Sequence, residues 1–234
     1  MLSLYTTPLW FQGYDIIVDS IGLLIALLIA AYSFKIFRAT HENRFGFFSL
    51  AFILISLGFL FKTITSAILY FGPIRDVAAT VLAPVAGQEL AFADLLYRGA
   101  FFVQMLTILT AWLLIFFISQ KARERLHKWH EVSQIALFVY LVLLITIVSN
   151  FQFFVFYLTS TVLLSLTVLN YYKNYLNTQK NSTKQVMTAF LFLLAGNILF
   201  IFVFLKDTFY VAAEILQLIG FLILLVTYRK ITKK

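Results

Sequence analysis

The chain is expected to be an all-α membrane protein: a seven-transmembrane-helix bundle with its N-terminus outside and its C-terminus in the cytoplasm. Three observations lead there. Hydrophobic residues make up 62% of the 234 positions and charged residues only 12%, against roughly 25% charged in soluble domains. Seven apolar runs, each near the ~20 residues that a spanning helix needs, occupy most of the chain. The gaps between them alternate between basic and almost base-free.

The runs are 14–35, 45–71, 94–119, 132–149, 152–172, 185–205 and 208–228. Little lies outside them, so 1–234 reads as a single membrane domain with no soluble module. Lys35, Arg38 and Arg44 follow the first run, and Lys121, Arg123, Arg125 and Lys128 the third. Lys173, Lys180 and Lys184 follow the fifth, and Arg229, Lys230, Lys233 and Lys234 the seventh. Those 14 of the 18 basic residues mark one side as cytoplasmic, because basic loops stay inside. The opposite side holds Arg75 and Lys206, with Arg98 at its border. A multi-pass protein of the cytoplasmic (plasma) membrane is expected. The first 14 residues lack a basic n-region, so the first run is expected to insert and stay, not to be cleaved.

The net charge of +8 is accounted for by this placement, and no nucleic-acid partner is expected. The basic loops set orientation and can touch anionic lipid headgroups. Membrane lipid, a cytoplasmic signalling protein reached through those loops, and a second copy of the chain are the partner classes left open.

Between the runs, two segments are long. Residues 119–131 form a basic amphipathic link with Trp129 at headgroup level. Residues 72–93 contain VAATVLAPVAG, too short to span and too apolar for a solvated loop. They are read either as a re-entrant segment or lid, or as a turn of helix on the headgroups. Asn181-Ser182-Thr183 matches a glycosylation sequon but falls on the cytoplasmic side, where it carries no meaning. The first two runs overlay the fifth and sixth without a gap at an offset of 139, pairing Tyr32 with Tyr171. Apolar composition alone explains the identities, so a three-plus-one-plus-three repeat is permitted and not demonstrated.

Ionisable groups inside a bilayer are costly, ~2.5–3.5 kcal/mol at the centre on insertion scales, and usually face the bundle interior. Asp19 in the first run, Lys62 in the second and Glu214 in the seventh qualify, all in the outer half. Asp15, Asp19, Gly22, Ala26 and Ala30 form one helical stripe; Gly58, Lys62 and Ser66 form another. Tyr97, Ala100, Gln104, Thr107 and Ala111 make a third, and Tyr210, Glu214 and Gln217 a fourth; Asn197 sits beside Gly196. Small and polar stripes belong at helix–helix interfaces. The functional reading is an outward-facing pocket of Asp19, Lys62, Arg98, Gln104, Asn197, Tyr210, Glu214 and Gln217, with Lys62 pairing to Glu214 or Asp19. The bland reading is an ion pair and hydrogen bonds that only fix packing.

Several chemistries are missing. With no cysteine there is neither disulfide nor thiolate. His41, His127 and His130 all lie in loops, so no intramembrane zinc site is expected. The seventh run has no lysine for a retinal Schiff base, and no nucleotide loop, nucleophile elbow or paired catalytic carboxylate appears. Neither enzyme activity nor a cofactor is expected. Pro8, Pro73 and Pro84 lie outside the spans, which argues against the hinged helices of SWEET-type sugar transporters.

Two stretches carry a family likeness. AAYSFKIFRATHENRFGFFSLAFILISLGFLFK (30–62) is a helix, a basic link and a Phe/Leu-rich helix; AAEILQLIGFLILLVTYRKI (212–231) has a polar start, an LxLIGF centre and a basic exit. Together these resemble the seven-transmembrane-helix sensor modules of prokaryotic histidine kinases and related signalling proteins. The resemblance implies perception of a membrane or extracytoplasmic cue. In that family an output domain follows the last helix, whereas this sequence stops at Lys234, so a separate partner would be needed. A small-ligand or membrane-cue sensing module is therefore the expected function. The alternatives are a small secondary transporter or permease, and a structural membrane subunit.

Overall fold

The computed structural model describes residues 7–74, 77, 89–120 and 153–232. Six long helices carry them: α1 (Tyr14–Thr40), α2 (Asn43–Tyr70), α3 (Glu89–Gln120), α4 (Phe153–Thr178), α5 (Asn181–Ile201) and α6 (Thr208–Thr232). A short 3-10 turn, Leu9–Phe11, precedes them. All six are long and apolar enough to cross a membrane, so the protein is an all-α, multi-pass membrane protein. The expected span at 132–149 lies outside the described residues. So does most of the 72–93 segment, except that α3 already begins at Glu89. The link after Gln120, with His127, Trp129 and His130, lies outside them too.

Helices run past the apolar runs at their basic ends. α1 continues to Thr40 and α4 to Thr178, because the polar residues there keep their main-chain bonds while their side chains reach water. α1 stops where His41 turns left-handed (φ 53°), its N–H donating to the Phe37 carbonyl at 2.8 Å. Gln179 repeats that turn after α4 (φ 54°), donating to Tyr175 at 2.7 Å. A carbonyl left over at the helix end is satisfied in each case.

The described helices close into a ring. Each packs against the next in the chain, and α6 packs against α1. Interior faces are those that helical spacing indicated: Asp15, Asp19, Gly22, Ala26 and Ala30 are buried on α1, while Leu24, Leu28, Leu57, Leu60 and Leu158 point outward. Apolar side chains on the rim of a membrane bundle meet lipid at little cost, whereas small ones let backbones approach. α5 and α6 approach each other closely at two glycines. A Cβ on Gly196 would lie 3.0 Å from the Ala213 carbonyl oxygen, and one on Gly220 would lie 3.0 Å from that of Ala189.

Two neighbouring helices run parallel. Phe101, in the first half of α3, and Phe156, near the start of α4, meet edge to face at 6.1 Å. Near their ends, the Asn170 amide donates to the Ser119 hydroxyl at 3.0 Å. α6 and α1 are parallel as well, since Asp19 and Glu214, both early in their helices, meet the same Lys62. Three antiparallel helices (α1–α3) thus join three more (α4–α6) through two parallel seams.

These halves match in a register of 138 residues, not 139. The left-handed turns His41 and Gln179 are that far apart. Thr40 and Thr178 each donate to the carbonyl one turn back, those of Ile36 and Asn174. Gly58 packs against Thr107 and Ile108 of α3 as Gly196 packs against Ala213 and Gln217 of α6. In this register Lys35, Thr40, Asn43, Ala51, Phe52 and Gly58 face identical residues at 173, 178, 181, 189, 190 and 196.

Candidate functional site

Lys62 is the centre of the polar core. Its Nζ donates to Asp19 Oδ1 at 2.9 Å and also to Glu214 Oε1. One ammonium from α2 therefore ties together carboxylates from α1 and α6. The expected choice of partner is resolved as both. At about 1.5 Å per residue, Asp19 and Glu214 sit about 8–9 Å, and Lys62 about 12 Å, from the helix ends at one face of the bundle.

Burial changes the expected picture. The side chains of Lys62, Asp19 and Glu214 are only 5%, 0% and 2% exposed, so they form an interior triad and not an open, outward-facing pocket. Tyr210 covers it with its ring centroid 5.4 Å from Lys62 Nζ, close enough for a cation–π contact. Phe11 of the 3-10 turn packs edge to face on Tyr210 at 6.4 Å. Asp15 holds that turn down by accepting from the Gly13 and Ile16 N–H groups, both at 2.9 Å, and from the Tyr70 hydroxyl at 3.0 Å.

Beside Lys62 lies a cavity of about 30 Å³, room for one or two waters. Its polar lining is Lys62, Gln104, Asn197 and Gln217, from α2, α3, α5 and α6. Four of the eight residues expected at a site thus share one cavity. Three more, Asp19, Glu214 and Tyr210, reach it through Lys62. The Arg98 side chain lies outside the described residues. Asn197 has one amide hydrogen committed to the Leu193 carbonyl at 2.9 Å.

Aromatic side chains complete the lining, and the sequence reading missed them. Phe59, Trp112, Tyr157, Phe200 and Phe221 all border the cavity. Apolar type and helical spacing place such residues inside but do not separate cavity walls from ordinary core. Trp112 is the informative one, because its buried Nε1 has no hydrogen-bond partner, and an indole N–H so placed normally finds one. Beyond the cavity, further from the triad, the core is rich in aromatic pairs. Phe52 meets Phe221 edge to face at 6.3 Å, Phe48 stacks on Tyr228 at 4.8 Å, and Tyr171 stacks on Phe190 at 5.3 Å.

The 138-residue register places the Asp19–Lys62 ion pair opposite the Tyr157–Phe200 stack (centroids 4.5 Å apart) of the second half. Phe59 likewise corresponds to Asn197. The cavity therefore lies between matching surfaces of the halves, charged on one side and aromatic on the other. Such a core can hold a small polar group by amides and one ammonium, and can exchange protons. Among the described residues, no group of three metal-ligating side chains occurs. Comparison of the chain with protein-family models, with curated proteins and with solved structures gave no match.

Proposed function

We propose that the chain is a seven-span sensing or binding module of the cytoplasmic membrane, N-terminus outside and C-terminus inside. A small polar ligand or membrane cue acts from the outer face, alters the Asp19–Lys62–Glu214 pairing and shifts α6. A cytoplasmic partner then reads the change at the basic loops.

The observation that carries this reading is the meeting of Lys62, Gln104, Asn197 and Gln217 around one cavity beside a buried triad. Polar contacts in membrane bundles average only ~0.6 kcal/mol, so a converging set from four helices is an inefficient way to hold a bundle together. Support for a seventh span comes from the parallel pair. The chain leaves α3 at one end of the bundle and enters α4 at the other, and a span at 132–149 accounts for the return. Support for the orientation is the basic-residue asymmetry.

The aromatic core beside the cavity favours sensing over transport, since Trp112 and Phe221 border the polar lining and Phe52 packs on Phe221. Transport has one observation of its own: parallel repeats with a site at their interface also occur in secondary transporters. Reconstitution separates the two. A sensor binds solute without moving it, so proteoliposomes should show no uptake. Solute uptake abolished by Glu214→Gln would sink the sensing reading, and Lys62→Met with Glu214→Leu leaving fold and phenotype intact would sink the site itself. A reporter fused after Lys234 should be active only in the cytoplasm.

A further inference from the structure

We propose that the triad is a proton-binding site, with one exchangeable proton held on Asp19 at neutral pH. The inference goes beyond ligand sensing and does not depend on what enters the cavity.

The charge count comes first. Two carboxylates meet one ammonium, and all three side chains are buried. Fully ionised, the triad carries one surplus negative charge. An unbalanced charge in a low-dielectric interior is far more costly than a neutral acid, and buried groups neutralise instead. Two carboxylates that share a site do not both stay ionised without a second cation.

Among the described side chains, none supplies such a cation. On α1, Asp15 is a further acid, engaged by Tyr70 of α2 and two backbone N–H groups. Tyr210 on α6 and Tyr157 on α4 are phenols. α3 and α5 present the amides of Gln104 and Asn197. Among the described residues, no basic side chain other than Lys62 is buried.

Geometry then selects the atom. Asp19 Oδ1 accepts from Lys62, whereas Oδ2 is buried and meets no donor. The Tyr210 hydroxyl, over the same ammonium, is buried and unpartnered too. A buried carboxylate oxygen that meets no donor is where a proton resides. A larger cation needs room and several oxygens, but the cavity is bordered by Lys62 and by neither Asp19 nor Glu214. The step is simple: a proton from water adds to the Asp19 carboxylate, giving a neutral acid, and returns to water on release.

Infrared spectroscopy of the full chain in lipid nanodiscs, in sodium-free buffer at pH 7, tests this. The carbonyl stretch of one protonated carboxylic acid per chain is expected, disappearing as the pH is raised. It should vanish in Asp19→Asn and equally in Glu214→Gln, where one carboxylate then faces one ammonium. Carbon-13 labelling of the aspartates should move the band in the unmodified protein, so the assignment does not depend on any variant folding. The proposal is overturned by a wild-type spectrum without the band, by a band that survives in either variant, or by one that moves with labelled glutamate. Saturable loss of the band on adding sodium overturns it as well, and would make the site one for an alkali cation. Loss of a solute response leaves the band in place, so failure of the sensing reading is seen separately.

Discussion

Two glycines that look alike in the sequence should respond oppositely to one added methyl. On α6, a Cβ at Gly220 would lie 3.0 Å from the Ala189 carbonyl oxygen and 2.8 Å from Leu193 Cγ. The carbonyl belongs to the α5 backbone and cannot turn aside, so the two helices must separate by a few tenths of an ångström. Overpacking of that kind costs about 1–3 kcal/mol. On α1, a Cβ at Gly22 would meet only the rim of the Phe59 ring, at 3.2 Å, and Phe59 has the cavity behind it to move into. Both substitutions gain the same helix propensity, ~1 kcal/mol for Gly→Ala, so it cancels in their difference. Gly220→Ala should therefore be less stable than Gly22→Ala by about 1–3 kcal/mol, read from unfolding of the purified protein in mixed micelles. Equal stabilities, or Gly22→Ala the weaker of the two, would refute the assignment of the α5–α6 contact as the rigid one.

Lys62→Met should destabilise the fold by about 3–5 kcal/mol, since it strands the buried Glu214 carboxylate, and the same unfolding assay measures it. Tyr210→Phe removes a buried hydroxyl without a partner and should be neutral or stabilising by about 1 kcal/mol while keeping the ring over Lys62. Asn170→Leu breaks the bond to Ser119 across the α3–α4 seam and should cost only ~0.6 kcal/mol. In a Trp10→Phe, Trp129→Phe background, Trp112 fluorescence should respond to a solute entering the cavity, and Gln217→Leu should abolish that response.

Much of this architecture was legible because bilayers make polarity expensive. The helical stripe through Asp15, Asp19, Gly22, Ala26 and Ala30 had to face inward, and it does. The depth of Asp19, Lys62 and Glu214 within their runs placed them at one level, and the structure brings them into contact. What the chain did not announce was closure. Phe11 lies in a short turn outside any span, so nothing in its spacing indicated a cap over Tyr210. Trp112, Tyr157 and Phe200 were indistinguishable from core, because an aromatic residue facing a small cavity has the same helical phase as one facing a neighbour. The repeat was hidden by one position. At 139 the overlay pairs Tyr32 with Tyr171 and little else of note; at 138 the turn residues, Gly58 and Gly196, and Phe52 and Phe190 fall into line.

The two parallel seams divide the labour within the triad. Asp19 and Lys62 both belong to the first three-helix unit, whereas Glu214 belongs to the second. The Lys62–Glu214 contact is thus a clasp between units, and the Asp19–Lys62 contact is a tie within the first. Among the described residues, the short links at 41–42 and 179–180 lie inside the units. The Asn170–Ser119 hydrogen bond ties the same two units together at the other seam. Losing the Glu214 contact would cut a tie between the units, whereas losing the Asp19 contact would cut one within the first unit.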